Sequence, residues 1–141
     1  SFVLLCLLWA THVRQFEHIA RIDFAIVWLN NARLLFIVLV PFATSMTTEY
    51  SEWLAGRLFM PVTFFLAILF SWLQWGWAVR QRETMLPDLT DDEAKSHGRG
   101  GLSALLIGAV VVLTAPLIGS LAFVLFLLDP LVTRLLRGAG D

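Results

Sequence analysis

Four polar residues fall inside otherwise apolar stretches of the chain: Asn30, Asn31, Arg33 and Asp129. In hydrocarbon each is costly unless it is paired, reaches the interface or faces water, so such residues mark ion pathways, proton relays or helix contacts. Arg33 lies twelve residues beyond Arg21, and Asp129 lies five before Arg134. At about 1.5 Å of rise per residue the two could sit at comparable depth. One reading is an intramembrane ion pair between Arg33 and Asp129. The other has Arg33 snorkelling to the interface and Asp129 capping the backbone at Pro130.

A second group, Trp9, His12, Arg14 and Phe16, lies on nearby faces at the end of the first apolar run, where Glu17 and Arg21 have i, i+4 spacing. This pattern suits an ordinary interfacial helix end, and a proton relay through His12 is the sharper alternative. Metal chemistry has little support, because His12, His18 and His97 fall in different places and no His or Cys pair has i, i+4 spacing. The single cysteine, Cys6, excludes an internal disulfide and reads as a small buried hydrophobe. No Gly-x-Ser-x-Gly elbow or phosphate-cradling glycine loop occurs. The expectation is no catalytic residue, no resident metal and no cofactor. A net charge of -1 without a basic cluster argues against a nucleic-acid partner.

The elements that must carry these residues follow from composition. Of 141 residues, 58% are hydrophobic and 15% charged, with a mean hydropathy of +0.77; soluble domains carry roughly 25% charged residues. The apolar residues come in blocks at about 1–16, 24–46, 54–79, 101–115 and 117–136. Backbone polar groups in lipid must be satisfied internally, and strand-like alternation is absent, so each block reads as a helix. The chain is expected to be an all-α integral membrane protein with one domain of about five spans and the lipid bilayer as its partner. The run before His12 supplies about half of a ~20-residue span, and is read as a helix cut at its N-terminus. Pro116 and Gly119 suggest a helical hairpin between the last two blocks, one long kinked helix being the competing reading.

Residues 80–100 read as an aqueous loop, in which Thr90 and Glu93 have capping-box spacing for one short surface helix. Arg14, Arg21, Arg80, Arg82, Lys95, Arg99, Arg134 and Arg137 fall in alternate connections, so those connections and the C-terminus are expected to be cytoplasmic. Trp72, Trp75 and Trp77 read as an aromatic belt at that end, with Tyr50 and Trp53 at the other.

The string SFVLLCLLWATHVRQF resembles the second transmembrane helix of the transmembrane protein 175 family, which shows Ser-Phe, then Trp, Asn-His-His-Arg and Phe. Ser1, Phe2, Trp9, His12, Arg14 and Phe16 match, while Thr11 and Val13 replace the usual Asn and second His. The likeness continues through Trp28, Leu29 and Asn30, then Pro41, Phe42, Thr44, Glu49 and Tyr50. The resemblance implies a subunit of a potassium-permeable channel, with potassium the permeant ion, six helices per subunit and a homotetramer in a prokaryotic plasma membrane. It also implies that Trp9, His12, Arg14 and Asn30 form a structural polar network holding a Phe-Ser-Asp motif on the family's pore-lining first helix. No Phe-Ser-Asp triplet occurs here, so that helix is expected upstream of Ser1. Arg33 and Asp129 depart from the family's apolar pattern, and they keep a rival open: a non-conducting scaffold, or a proton-linked transporter using Arg33, Asp129 and His12.

Overall fold

The computed structural model describes residues 2–138, with only the backbone of Arg137 and Gly138; Ser1, part of the resemblance, lies outside the described residues. The order is α1 (Phe2–His18), α2 (Phe24–Glu49), α3 (Leu54–Arg80), the single turn α4 (Arg82–Met85) and α5 (Asp91–Ile118). A 3-10 segment (Gly119–Leu128) and α6 (Asp129–Gly138) complete it. The protein is an all-α membrane bundle. Three stretches are long and apolar enough to cross a bilayer: Phe24–Glu49, Leu54–Arg80 and Asp91–Leu136. The third folds back on itself, because the 3-10 segment and α6 pack against α5.

The antiparallel pair α2 and α3 is the spine, and α5 packs on the other side of α3. Lipid tails are as apolar as the side chains, so helices in a bilayer associate through close packing rather than escape from water. Small residues accordingly mark the contacts. Ala43 and Ala67 are fully buried, and a Cβ on Gly108 of α5 would stand 3.2 Å from Phe65 of α3. Leu8, Ile37, Val40, Phe64 and Ile68 fill the middle, where Phe64 meets Phe123 and Phe126 of the returning segment edge-on at 5.6 and 5.3 Å. Pro41 and Pro61 lie inside α2 and α3; neighbouring helices and hydroxyls re-satisfy the freed backbone in such spans. Just beyond Pro41, Thr44 and Ser45 donate back to the carbonyls of Val40 and Pro41.

The chain reverses at Gly119, whose φ of 59° and ψ of -140° suit glycine. Pro116 stays inside α5. The hairpin is therefore the fold, and its turn is held by Arg57, which donates to the carbonyls of Pro116 (3.0 Å) and Ser51 (2.6 Å).

The aqueous stretch differs from its expected form. Thr90 and Glu93 do make a capping box, but the helix they start is α5 itself, 28 residues or about 42 Å long. Gly98 falls in the expected loop and Gly101 at the start of the next block; here both let α5 lie against Trp75 and Trp72, with Cβ positions 3.7 and 3.1 Å from those rings. Trp75 is not a belt residue. It is buried and donates from Nε1 to the Ala94 carbonyl at 3.0 Å.

Asp23 ties the same end together. It accepts from the Ile26 amide (2.8 Å) as the N-cap of α2, and from Trp77 Nε1 (2.9 Å) and Gln81 Nε2 (3.3 Å) at the end of α3. The Ile26 amide first, then the Trp77 indole, hold its carboxyl below the ordinary 3.8. A depressed folded value stabilises fully above the unfolded one and is lost as pH falls through the folded one. Asp23→Ala is expected to lower the melting temperature by a few degrees near neutral pH and to remove part of the wild type's loss of stability below pH 3.8. Thermal melts across that window check it; identical pH dependence in the two proteins would contradict it.

Candidate functional site: a buried arginine between three helices

On α1, Leu8, Thr11 and Gln15 fall at i, i+3 and i+7, one stripe of a helix. Arg33 of α2 reaches into that stripe and is completely buried. Its Nη1 donates to Gln15 Oε1 at 2.6 Å, and its Nη2 to Thr11 Oγ1 at 3.1 Å and the Leu8 carbonyl at 3.3 Å. Gln15 extends the cluster to α3, where Ser71 Oγ donates to its Oε1 (3.2 Å) and its Nε2 donates to the Ser71 carbonyl (3.3 Å). One side chain thus joins the first three helices. The acceptors are all neutral, and Arg33 Nε has no partner among the described residues.

Arg33 and Asp129 are not an ion pair. Asp129 Oδ1 accepts from Ser103 Oγ at 2.6 Å, fastening the returning segment to α5, while the partners of the guanidinium all lie on α1. Counting residues gives depth but not direction around the helix axis, and α3 packs between α2 and α5. Arg33 does not snorkel either. Asp129 instead lines a groove of about 470 Å3 that it shares with Thr11, Arg14 and Gln15.

Of the residues assigned by resemblance, Trp9 stacks on His12 (centroids 5.2 Å), and His12 meets Phe16 at 4.8 Å. Among the described residues, no hydrogen bond joins Trp9, His12, Arg14 and Asn30. His12 Nδ1 and Asn30 Oδ1 are buried atoms without partners, and Arg14 is exposed at the groove. Around them α1 and α2 expose Val13, Trp9 and Trp28. The hydrogen-bonded cluster is made by Thr11, Gln15 and Ser71, which were not singled out from sequence. A signal was present: a buried arginine needs acceptors, and Thr11 and Gln15 are polar interruptions on one face of an apolar helix.

The described residues contain no group of three His, Cys, Asp or Glu side chains placed for a metal ion. Two of the three histidines nevertheless meet: the rings of His18 and His97 lie 5.2 Å apart.

Residues 1–41, which carry α1, the Arg33 cluster and α2 as far as Pro41, match the family described as endosomal/lysosomal potassium channel TMEM175. Over these residues the chain is similar to that family. The family match covers every residue of the polar cluster except Ser71, which α3 supplies. A protein named as a potassium channel, from Streptomyces collinus, is 30% identical over 80 residues, spanning 53% of this chain and 39% of that relative. This chain therefore corresponds to less than half of the relative's length. No solved structure matches.

Proposed function

We propose that the chain is a subunit of a potassium-permeable cation channel, homotetrameric in a prokaryotic plasma membrane, with the end bearing His18, Trp75 and Asp91 facing the cytoplasm. The observation that carries this reading is where the family match falls: on the two helices joined by Arg33, whose outer faces expose Trp9, Val13 and Trp28. Such a face suits a further helix that brings apolar surface.

In this reading Trp9, His12 and Asn30 hold a pore-lining helix and do not touch the ion. The constriction itself is apolar and gates by dewetting, selecting by the cost of removing water from the ion. The Arg33 cluster fixes α1 against α2 and α3, which gives the pore-lining helix a rigid seat. Basic connections on the cytoplasmic side agree with the charge asymmetry that orients membrane proteins.

Potassium flux into liposomes, with protein expressed from the complete gene, tests this directly. A potassium-dependent flux that vanishes in protein-free vesicles is expected, together with a native mass of four subunits; no flux above the vesicle background defeats the channel reading. One observation favours a second reading, proton-linked transport: Asp129 and the Arg33 partners Thr11 and Gln15 line the same groove. Flux that requires a pH gradient would select it.

A further inference from the structure

At the polar end of the bundle, three elements converge on two imidazoles. His18 ends α1, His97 stands two turns into α5, and Trp75 of α3 lies beside both, at 6.4 and 5.4 Å between ring centroids. The histidine rings are 5.2 Å apart and inclined at 69°. We propose that His18 and His97 form a two-imidazole binding site for a late first-row divalent cation, with Zn2+ as its representative, linking the end of α1 to the start of α5.

Three features of the site point to a cation. An ion held at ~2.1 Å by one nitrogen of each ring, at a near-tetrahedral angle, puts the ring centres about 5 Å apart. The observed separation meets that requirement. Second, His97 Nδ1 lies 2.9 Å from the Glu93 backbone oxygen. A carbonyl can only accept, so Nδ1 carries the hydrogen and the neutral ring keeps its Nε2 lone pair free. Metal-binding histidines are oriented in this way by a carbonyl behind the ring. Third, the Glu93 side chain lies one helical turn before His97. The Thr90 amide and hydroxyl hold its carboxyl below the ordinary value, so a negative charge stands beside the imidazoles.

His97 is exposed and His18 half-buried, which leaves a path for the ion, while Trp75 closes the bundle side. With two protein ligands the remaining positions go to water, so the site is exchangeable rather than a folding core. It adds to a contact made just after α1, where the Ala20 amide donates to the Met85 carbonyl at 2.8 Å and Ile19 is buried with Trp75, Met85 and Leu86. Because both rings must be neutral to bind, affinity falls as pH is lowered.

Calorimetric titration of Zn2+ into the detergent-solubilised protein, with any histidine tag removed, tests the site. One ion per chain is expected. His18→Ala and His97→Gln should each weaken binding by at least tenfold, a loss no smaller than that from removing an outer-shell partner. Cys6→Ser should leave it unchanged, since Cys6 is exposed on the opposite half of α1. Zn2+ should also raise the melting temperature of the wild type and not of the two variants, which without metal melt with the wild type and so are shown to be folded. Undiminished Zn2+ affinity in either histidine variant, or no binding by the wild type, overturns the proposal.

Discussion

Gly56→Ala is expected to destabilise the bundle by about 3 kcal/mol or more, at the upper end of what overpacking costs, and to lower the melting temperature by roughly 10 °C. Gly56 is buried in the first turn of α3. A Cβ there would stand 2.0 Å from the Tyr50 carbonyl oxygen, 2.6 Å from its carbon and 2.8 Å from Tyr50 Cβ. Two of these three atoms are backbone, so no rotamer change relieves the overlap. The connection must shift, and with it Ser51, whose carbonyl Arg57 uses while also holding Pro116. Damage at Gly56 therefore spreads from the α2–α3 turn to the α5 hairpin. Gly76→Ala is the control: it lies in the same helix with nothing within 4 Å, and it should melt at or above the wild type because alanine favours helix by about 1 kcal/mol. Similar melting of the two variants would refute the account of Gly56.

The same comparison shows what sequence can carry. Long apolar blocks name the solvent, and the solvent forces helices, so the fold class was legible without any contact being known. The start of α2 at Phe24 was legible for a local reason, since Asp23 is an N-cap residue before an apolar run. The hidden features depend on direction rather than composition. Gly98 looks like part of a loop until Trp75 comes to lie on it. Trp75 looks like a belt residue until Ala94 gives its indole a buried acceptor. His18 and His97 are 79 positions apart in sequence, and only the antiparallel course of the helices brings them together. Arg33 was marked correctly as unusual, yet its partner was sought among carboxylates when the structure supplies an amide, a hydroxyl and a carbonyl.

That choice of partners determines what removing Arg33 should do. Arg33→Met is expected to raise stability by about 1–3 kcal/mol, within the range found when buried charges give way to well-packed apolar residues. The charge is fully buried and meets no carboxylate among the described residues, so its desolvation is offset only by hydrogen bonds to neutral acceptors. Those acceptors are not stranded when it goes. Gln15 Oε1 keeps the hydroxyl of Ser71. Thr11 still donates to Leu8, whose carbonyl therefore keeps a partner. Arg33→Lys should do the opposite and destabilise, because it keeps the charge while losing the fork that reaches three acceptors at once. Asp129→Leu, combined with Arg33→Met, should add to within about 0.5 kcal/mol, since the two side chains do not touch. Thermal melts in detergent read all four proteins. If Arg33→Met melts well below the wild type, a carboxylate from another helix or another subunit neutralises Arg33 in the assembled protein. Arg33 would then be a ligand of that neighbour, and not only the peg that joins α2 to α1.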